Sequence, residues 1–226
     1  MIAPPSPPAL AVRALRYQWP GNPEFTLNLP DFTVDREHSL FLHGPSGSGK
    51  TTLLNLLGGV LRPQAGEIEL LGQPVSAWPA RRRDAFRADH IGFIFQQFNL
   101  IPYLSVLDNV LLPCRFSPLR ARRAGDPGAS ARTLLAALEI SGELLARPAH
   151  ALSVGQQQRV AAARALIGGP EILIADEPTS ALDAGRQSAF VELLLAQARQ
   201  HRSSVVFVSH DLRLASCFTA VRELPS

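Results

Sequence analysis

Apolar positions along the chain follow two rhythms. Four short runs are almost continuously apolar: Leu40-Phe41-Leu42, Ile91-Gly92-Phe93-Ile94-Phe95, Ile172-Leu173-Ile174-Ala175 and Val205-Val206-Phe207-Val208. The third is bounded by Pro170 and Pro178. Runs of this length and type are how parallel strands covered on both faces read. Between them, Thr52-Leu53-Leu54-Asn55-Leu56-Leu57 and Val160–Leu166 carry a helical pattern, and further helices are predicted near 104–112, 130–139 and 142–147. Residues of about 10–35 and 66–80 read as short strands with turns, an antiparallel layer. Ser117 to Gly128, rich in arginine, proline and glycine, reads as a mobile loop. The pattern predicts an α/β fold: a parallel-sheet core, an N-terminal antiparallel β layer, and a helical subdomain inserted at about 97–160. One domain spans 10–226, preceded by a Pro-rich disordered tail over 1–9 that has neither the basic start nor the apolar core of a secretory signal. No run approaches the ~18–20 apolar residues of a membrane-spanning helix. The densest, Leu53–Leu57, breaks at Gly58-Gly59.

Composition changes this picture at few points. The 226 residues are 46% hydrophobic and 18% charged, which suits one large core and excludes a disordered chain. A net charge of +3 is too mild to point to nucleic acid. Cys114 and Cys217 stand far apart with no metal-binding or redox spacing, so a disulfide scaffold or zinc site is not expected and a reducing cytosol fits. One count is sharper. Of 22 basic residues 21 are arginine, and the single lysine is Lys50. A compact ammonium on a flexible stem is kept at one position only.

Lys50 lies in Gly44-Pro45-Ser46-Gly47-Ser48-Gly49-Lys50-Thr51-Thr52, the G-x-x-x-x-G-K-[ST] pattern, between a predicted strand and a predicted helix. The glycines let the backbone curl so that several N–H groups face phosphate oxygens, and the helix N-terminus adds partial positive charge. Lys50 is placed to reach the β- and γ-phosphates, and the Thr51 hydroxyl to ligate Mg²⁺. At the C-terminal end of the third apolar run stand Asp176 and Glu177, where ligands bind in open α/β sheets. Asp176 is expected to hold Mg²⁺, through water, and Glu177 to point elsewhere and deprotonate or orient an attacking water.

Three further segments resemble the ATP-binding-cassette (ABC) ATPases, a family of P-loop NTPases. Leu152-Ser153-Val154-Gly155-Gln156-Gln157-Gln158-Arg159 is similar to the family's signature. Asp176-Glu177-Pro178-Thr179-Ser180-Ala181-Leu182-Asp183 resembles its Walker B and D-loop. Ser209-His210-Asp211 after a strand resembles its switch histidine. The resemblance runs from about Leu10 to Leu224. It implies a Mg²⁺-dependent ATPase in which Ser153, Gly155 and Gln156 bind the γ-phosphate held by a second copy, with Asp183 also at the nucleotide and His210 on the catalytic step. Ser153 and Gln156 also fit a simple helix cap and capping box. Val154 replaces a signature glycine. Valine cannot take a positive φ cheaply, so a helical backbone is expected there. Gln96 resembles the Q-loop glutamine that touches Mg²⁺ and the transport subunit, with Gln97 its rival. Tyr17 resembles the family's adenine-stacking aromatic, with Trp19 the competitor.

Ile91–Pro102 and Asp108–Pro113 are similar to the lipoprotein-release and macrolide-export branch. That implies ATP and Mg²⁺ as cofactors and a transmembrane permease as partner, of the FtsX-like type with a large periplasmic domain. It also implies a head-to-tail dimer with a second copy, no nucleic acid, and a place on the cytoplasmic face of the inner membrane. An importer subunit and a soluble ABC ATPase are the alternatives. Against the soluble one, no heptad run separates Lys50 from Ser153 and only one cassette is present; against a P-loop kinase stands the signature helix. With two residues after Leu224, no C-terminal regulatory domain is expected. Arg81-Arg82-Arg83 with Arg87 read as a solvated helix face, and His43, His90, His150 and His201 as structural or surface residues.

Overall fold

The computed structural model describes residues 6–20 and 26–224. Strands β1 (Leu10–Gln18), β2 (Thr26–Leu29) and β3 (Phe32–Val34) open the chain, followed by β4 (Ser39–His43), α1 (Lys50–Leu57) and β5 (Ala65–Leu70). Then come α2 (Ala80–His90) and β6 (Ile91–Ile94), then α3 (Val106–Phe116), α4 (Pro118–Ala124), α5 (Pro127–Ala137) and α6 (Val154–Leu166). The chain closes with β7 (Ile172–Asp176), α7 (Ala184–Gln200), β8 (Ser204–Val208) and β9 (Ala220–Glu223).

β1 pairs antiparallel with β2, β3 and β5, forming the outer layer. The other strands form a parallel sheet in the order β6-β7-β8-β4-β9. Its apolar runs are explained by two cores, one on each face. Ile172 and Ile174 of β7 pack with Leu40, Leu42 and α1 under the antiparallel layer. Leu173 and Ala175 pack with Phe41, Phe207 and the helices of the insertion. Both faces of the sheet are covered, so alternation disappears from the sequence.

Three expectations need correction. The segment 117–128 is not a loop: it forms α4 and the start of α5. Ser117 and Asp126 accept hydrogen bonds from the backbone N–H groups of Arg120 and Ala129, and Pro118 and Pro127 occupy the first helical turn. Cap followed by proline is a helix start, and its residues are the same ones that mark turns. Arg120 then buries its guanidinium against the carbonyls of Ile91, Ala165 and Ile167. The proposed tail is shorter than 1–9, because Ala9 is buried and its carbonyl accepts from the Leu71 N–H at 2.9 Å, while residues 1–5 lie outside the described ones. The arginines of α2 are not simply solvated. Arg82 stacks over the Trp78 ring at 3.8 Å, Arg83 donates to the carbonyls of Gly59 and Trp78, and Arg87 donates to Asp84.

Candidate active site

At the C-terminal ends of β4, β6 and β7 the chain forms a cleft of about 420 Å³. Ser46, Gly47, Gly49, Lys50, Thr51 and Thr52 wall one side. Gly47 and Gly49 take φ of 82° and 87°, the left-handed region that L side chains avoid, and Gly49 starts α1 from there. Lys50 is buried, and its Nζ donates to the carbonyls of Gly44 and Pro45 at 2.9 and 2.8 Å. The Ser48 hydroxyl is buried with no partner. A curled glycine loop, an ammonium resting on its own loop carbonyls and the open end of α1 suit a polyphosphate, whose oxygens are better acceptors for these donors.

Opposite stand the carboxylates. Thr51 Oγ1 donates to Asp176 Oδ2 at 3.0 Å. Burial and the neighbouring Glu177 charge raise the Asp176 pKa, while the Thr51 bond and Lys50 oppose this. An adjacent hydroxyl and carboxylate are hard oxygen donors of the kind that hold Mg²⁺ jointly with substrate phosphates. Glu177 also lines the cleft. A residue following Asp176 in an extended strand would face away; Glu177 instead takes φ 41°, and its Oε2 lies 3.4 Å from His210 Nδ1. A glutamate held in left-handed backbone conformation is a costly geometry of the sort found at functional sites. Gln96 lines the same cleft beyond the end of β6, and Gln97 does not.

The aromatic expectation is corrected. Tyr17 is 5% exposed, opposite Leu27 within the β1–β2 pair, and belongs to the core under the antiparallel layer. Trp19 is 40% exposed, lies just past the end of β1, lines the cleft and donates its indole N–H to Thr52 Oγ1 at 3.1 Å. Trp19 is the aromatic at the site.

The signature lies elsewhere in the chain. Ser153 caps α6: its hydroxyl accepts from the Gln156 N–H at 3.4 Å, and Gln156 Oε1 accepts from the Ser153 N–H at 2.9 Å. Val154 begins α6, so its backbone is helical. Ser153, Gly155 and Gln156 border a second hollow of about 230 Å³ with Leu182 and Arg186, and no residue lines both hollows. Asp183 is not in the phosphate cleft either. It caps α7, accepting from the Arg186 N–H and pairing with the Arg186 side chain. His90 bonds Glu171 and His150 bonds the Pro102 carbonyl, as structural histidines do. Among the described residues no His, Cys, Asp and Glu cluster could hold a metal unaided.

A curled glycine loop on a helix start, facing a strand-end Asp-Glu pair on a parallel sheet, defines a P-loop nucleotide-binding domain. Residues 27–180 match the family described as ABC transporter, and the chain belongs to that family. It is 42% identical over 186 residues to the ABC transporter ATP-binding protein YbbA of Escherichia coli (strain K12), covering 82% of this chain and 80% of YbbA. It is 40% identical over 194 residues to the lipoprotein-releasing system ATP-binding protein LolD of Xylella fastidiosa (strain Temecula1 / ATCC 700964), covering 86% and 79%. It is 38% identical over 221 residues to the macrolide export ATP-binding/permease protein MacB of Rhodopseudomonas palustris (strain HaA2), covering 95% of this chain but 32% of MacB. Among solved structures, the dimeric ABC transporter cassette MJ0796 superposes with TM-score 0.79 at 32% identity, covering 95% of this chain and 94% of that one. Its post-hydrolysis dimer bound to ADP and Pi gives 0.77. The fold is the ABC ATPase cassette, and the chain is an ATP-binding, ATP-hydrolysing subunit of an ABC transporter.

Proposed function

We propose that two copies of this chain hydrolyse ATP head-to-tail and drive a separate transmembrane permease in export or lipoprotein release. The observation that carries the reading is the separation of the two anion sites. The cradle around Lys50 and the capped start of α6 at Ser153 share no lining residue in one chain. Each offers free donors to phosphate, and a second copy in the opposite sense completes both.

Within each cleft the backbone of Gly44, Pro45, Ser46, Gly47, Ser48 and Gly49 cradles the phosphates. Lys50 leaves its loop carbonyls to neutralise the β- and γ-phosphate oxygens, and Trp19 stacks on the base. Thr51, Asp176 and Gln96 would hold Mg²⁺, which would supply charge neutralisation on the phosphates. Glu177 takes the proton of the attacking water, and His210, within reach of Glu177, holds the γ-phosphate side. From the partner copy come the Ser153 hydroxyl and the N–H groups at the start of α6. The Gln156 N–H bond to Ser153 is long enough for a phosphate oxygen to compete with it. Asp183, at the start of α7, meets the partner's loop.

For the permease, the support is MacB, an ATP-binding/permease protein of which this chain spans about a third. No helix among the described residues is long and apolar enough to cross a membrane. In this proposal an FtsX-like permease holds the chain at the cytoplasmic face of the membrane. A groove of about 440 Å³, lined by Phe93, Phe95, Leu112 and Phe116 with Asp84, Arg87 and Arg164 also in its wall, is a mostly apolar seat for a permease segment. The test is specific ATPase activity across a dilution series with Mg²⁺-ATP, with Lys50→Ala as control. Activity per chain should rise with concentration and vanish in Lys50→Ala. Flat activity per chain would sink the two-copy reading, and unchanged activity in Lys50→Ala would sink the site.

A further inference from the structure

We propose that Gln158 and Arg164, two side chains of the signature helix α6, are positioning residues that fix where Glu177 and Gln96 of the same chain stand, so that the helix serving the partner's nucleotide also sets this chain's own catalytic geometry. The inference rests on the roles given above to Glu177 and Gln96.

Both catalytic side chains stand in or just before backbone in costly conformation. Glu177 itself has φ 41°, and after Gln96 come Phe98 and Asn99 at φ 59° and 49°. Three non-glycine residues do not hold left-handed backbone unless surrounding contacts over-determine it. In both segments α6 supplies such contacts. Gln158, 1% exposed, donates Nε2 to the Pro178 carbonyl at 2.8 Å, one residue past Glu177. Arg164 donates Nη1 to the Asn99 carbonyl at 2.6 Å and Nη2 to the Phe98 carbonyl at 2.5 Å. One guanidinium fork thus spans two consecutive carbonyls, a geometry an ammonium cannot reproduce. Beyond it, buried Asn109 of α3 accepts from the Ile101 N–H and donates to the Ile101 carbonyl, so the loop is tied from both sides.

The helix is also too close to the sheet to move independently of it. A Cβ on Gly92 of β6 would lie 2.2 Å from the Ala165 carbonyl of α6, so strand and helix touch backbone to backbone. Gln158 and Arg164 are six residues apart, about 9 Å along the helix axis, with Ser153 at its start. Arg164 lines neither anion hollow, and Gln158 borders the signature hollow with a side chain only 1% exposed, so their loss should lower turnover with little loosening of ATP.

The experiment is steady-state ATPase of the full chain with Mg²⁺-ATP, resolving kcat from KM. The variants are Arg164→Ala, Arg164→Lys and Gln158→Met, and methionine keeps size while removing the donor. Misplacing a catalytic group by about 1 Å costs up to roughly 100-fold in rate. The expected result is a kcat lowered roughly 10- to 100-fold in Arg164→Ala and Gln158→Met, with KM within about twofold of wild type and partial recovery in Arg164→Lys. If Arg164→Ala does not fold, Arg164→Lys and Gln158→Met carry the test. Wild-type kcat in both, or a loss confined to KM, overturns the proposal. An inactive wild-type chain would instead overturn the ATPase roles on which it rests.

Discussion

Strand β7 carries a carboxylate at each end, and the two ends behave oppositely. At its start, Glu171 accepts from His90 at 3.0 Å and from both Nη atoms of Arg123. Burial pushes its carboxyl up, but the hydrogen bonds from His90 and Arg123 and the His90 charge outweigh this and hold it at about 2. At its far end Asp176 has Thr51 alone as hydrogen-bonding partner, and burial raises its pKa. Glu177 beside it has the His210 ring at 3.4 Å and a left-handed backbone. Four residues separate a saturated carboxylate from a pair left with unused acceptor positions. The saturated one holds α2, α4 and the sheet together. The unsaturated pair has room for a cation, a phosphate and a water, which is what a site requires.

The largest effect should appear where the acceptor positions are unused. Glu177→Gln keeps size and hydrogen bonding but cannot take a proton, so kcat should fall about 10²- to 10⁴-fold while nucleotide binding is kept. Stopped-flow or steady-state phosphate release checks this, and turnover near wild type would move the base role away from Glu177.

A smaller effect belongs to the rim of the same cleft. Base–aromatic stacking is worth about 1–3 kcal/mol, so Trp19→Ala should raise the ATP dissociation constant by roughly 5- to 150-fold. Tyr17→Leu, which removes the ring from the core while keeping an apolar side chain, should leave it unchanged. The reverse ranking in a fluorescent-nucleotide titration would restore Tyr17 to the site.

The smallest effect on function, and a clear one on stability, is expected at the saturated end. Arg123→Ala removes a charged hydrogen-bond partner of Glu171 and should cost about 1–3 kcal/mol with kcat unchanged. Because Glu171's folded pKa lies below its ordinary 4.5, the contribution is complete above that pH and disappears as pH falls towards about 2. Denaturant melts of wild type and Arg123→Ala should therefore differ at pH 7 and converge on acidification. A gap that widens in acid would contradict the assignment.

The two ends were not equally legible in the sequence. The cradle is local: Gly44 to Thr52 is one unbroken stretch in which each residue type has one chemical use, and the lone Lys50 among arginines marks it. The capping box at Ser153 is equally local, and the helical backbone of Val154 follows from valine's intolerance of positive φ. Trp19 is a different matter. β1 carries a bulge between Arg13 and Arg16 with Ala14 at φ 42°, and the buried parity changes from Leu10 and Val12 to Leu15 and Tyr17. Alternation places Tyr17 and Trp19 on one face. Only the end of the strand at Gln18 separates the core residue from the one that turns into the cleft. The tethers from Gln158 and Arg164 were hidden for another reason. They reach backbone carbonyls 20 and 65 or 66 positions away, and a carbonyl leaves no residue-type signal. Helix α4 and the first turn of α5 read as a loop because Ser-Pro and Asp-Pro serve turns and helix starts alike, whereas the rest of α5 is legible from its apolar period.

The central claim is that the cradle of one copy and the capped helix of another close on a shared ATP. Gel filtration of the Glu177→Gln chain, run in Mg²⁺-ATP and again in Mg²⁺-ADP, tests it most directly. With hydrolysis blocked and both clefts intact, the chain should elute as a dimer in ATP and as a monomer in ADP. A monomer in both nucleotides would contradict it.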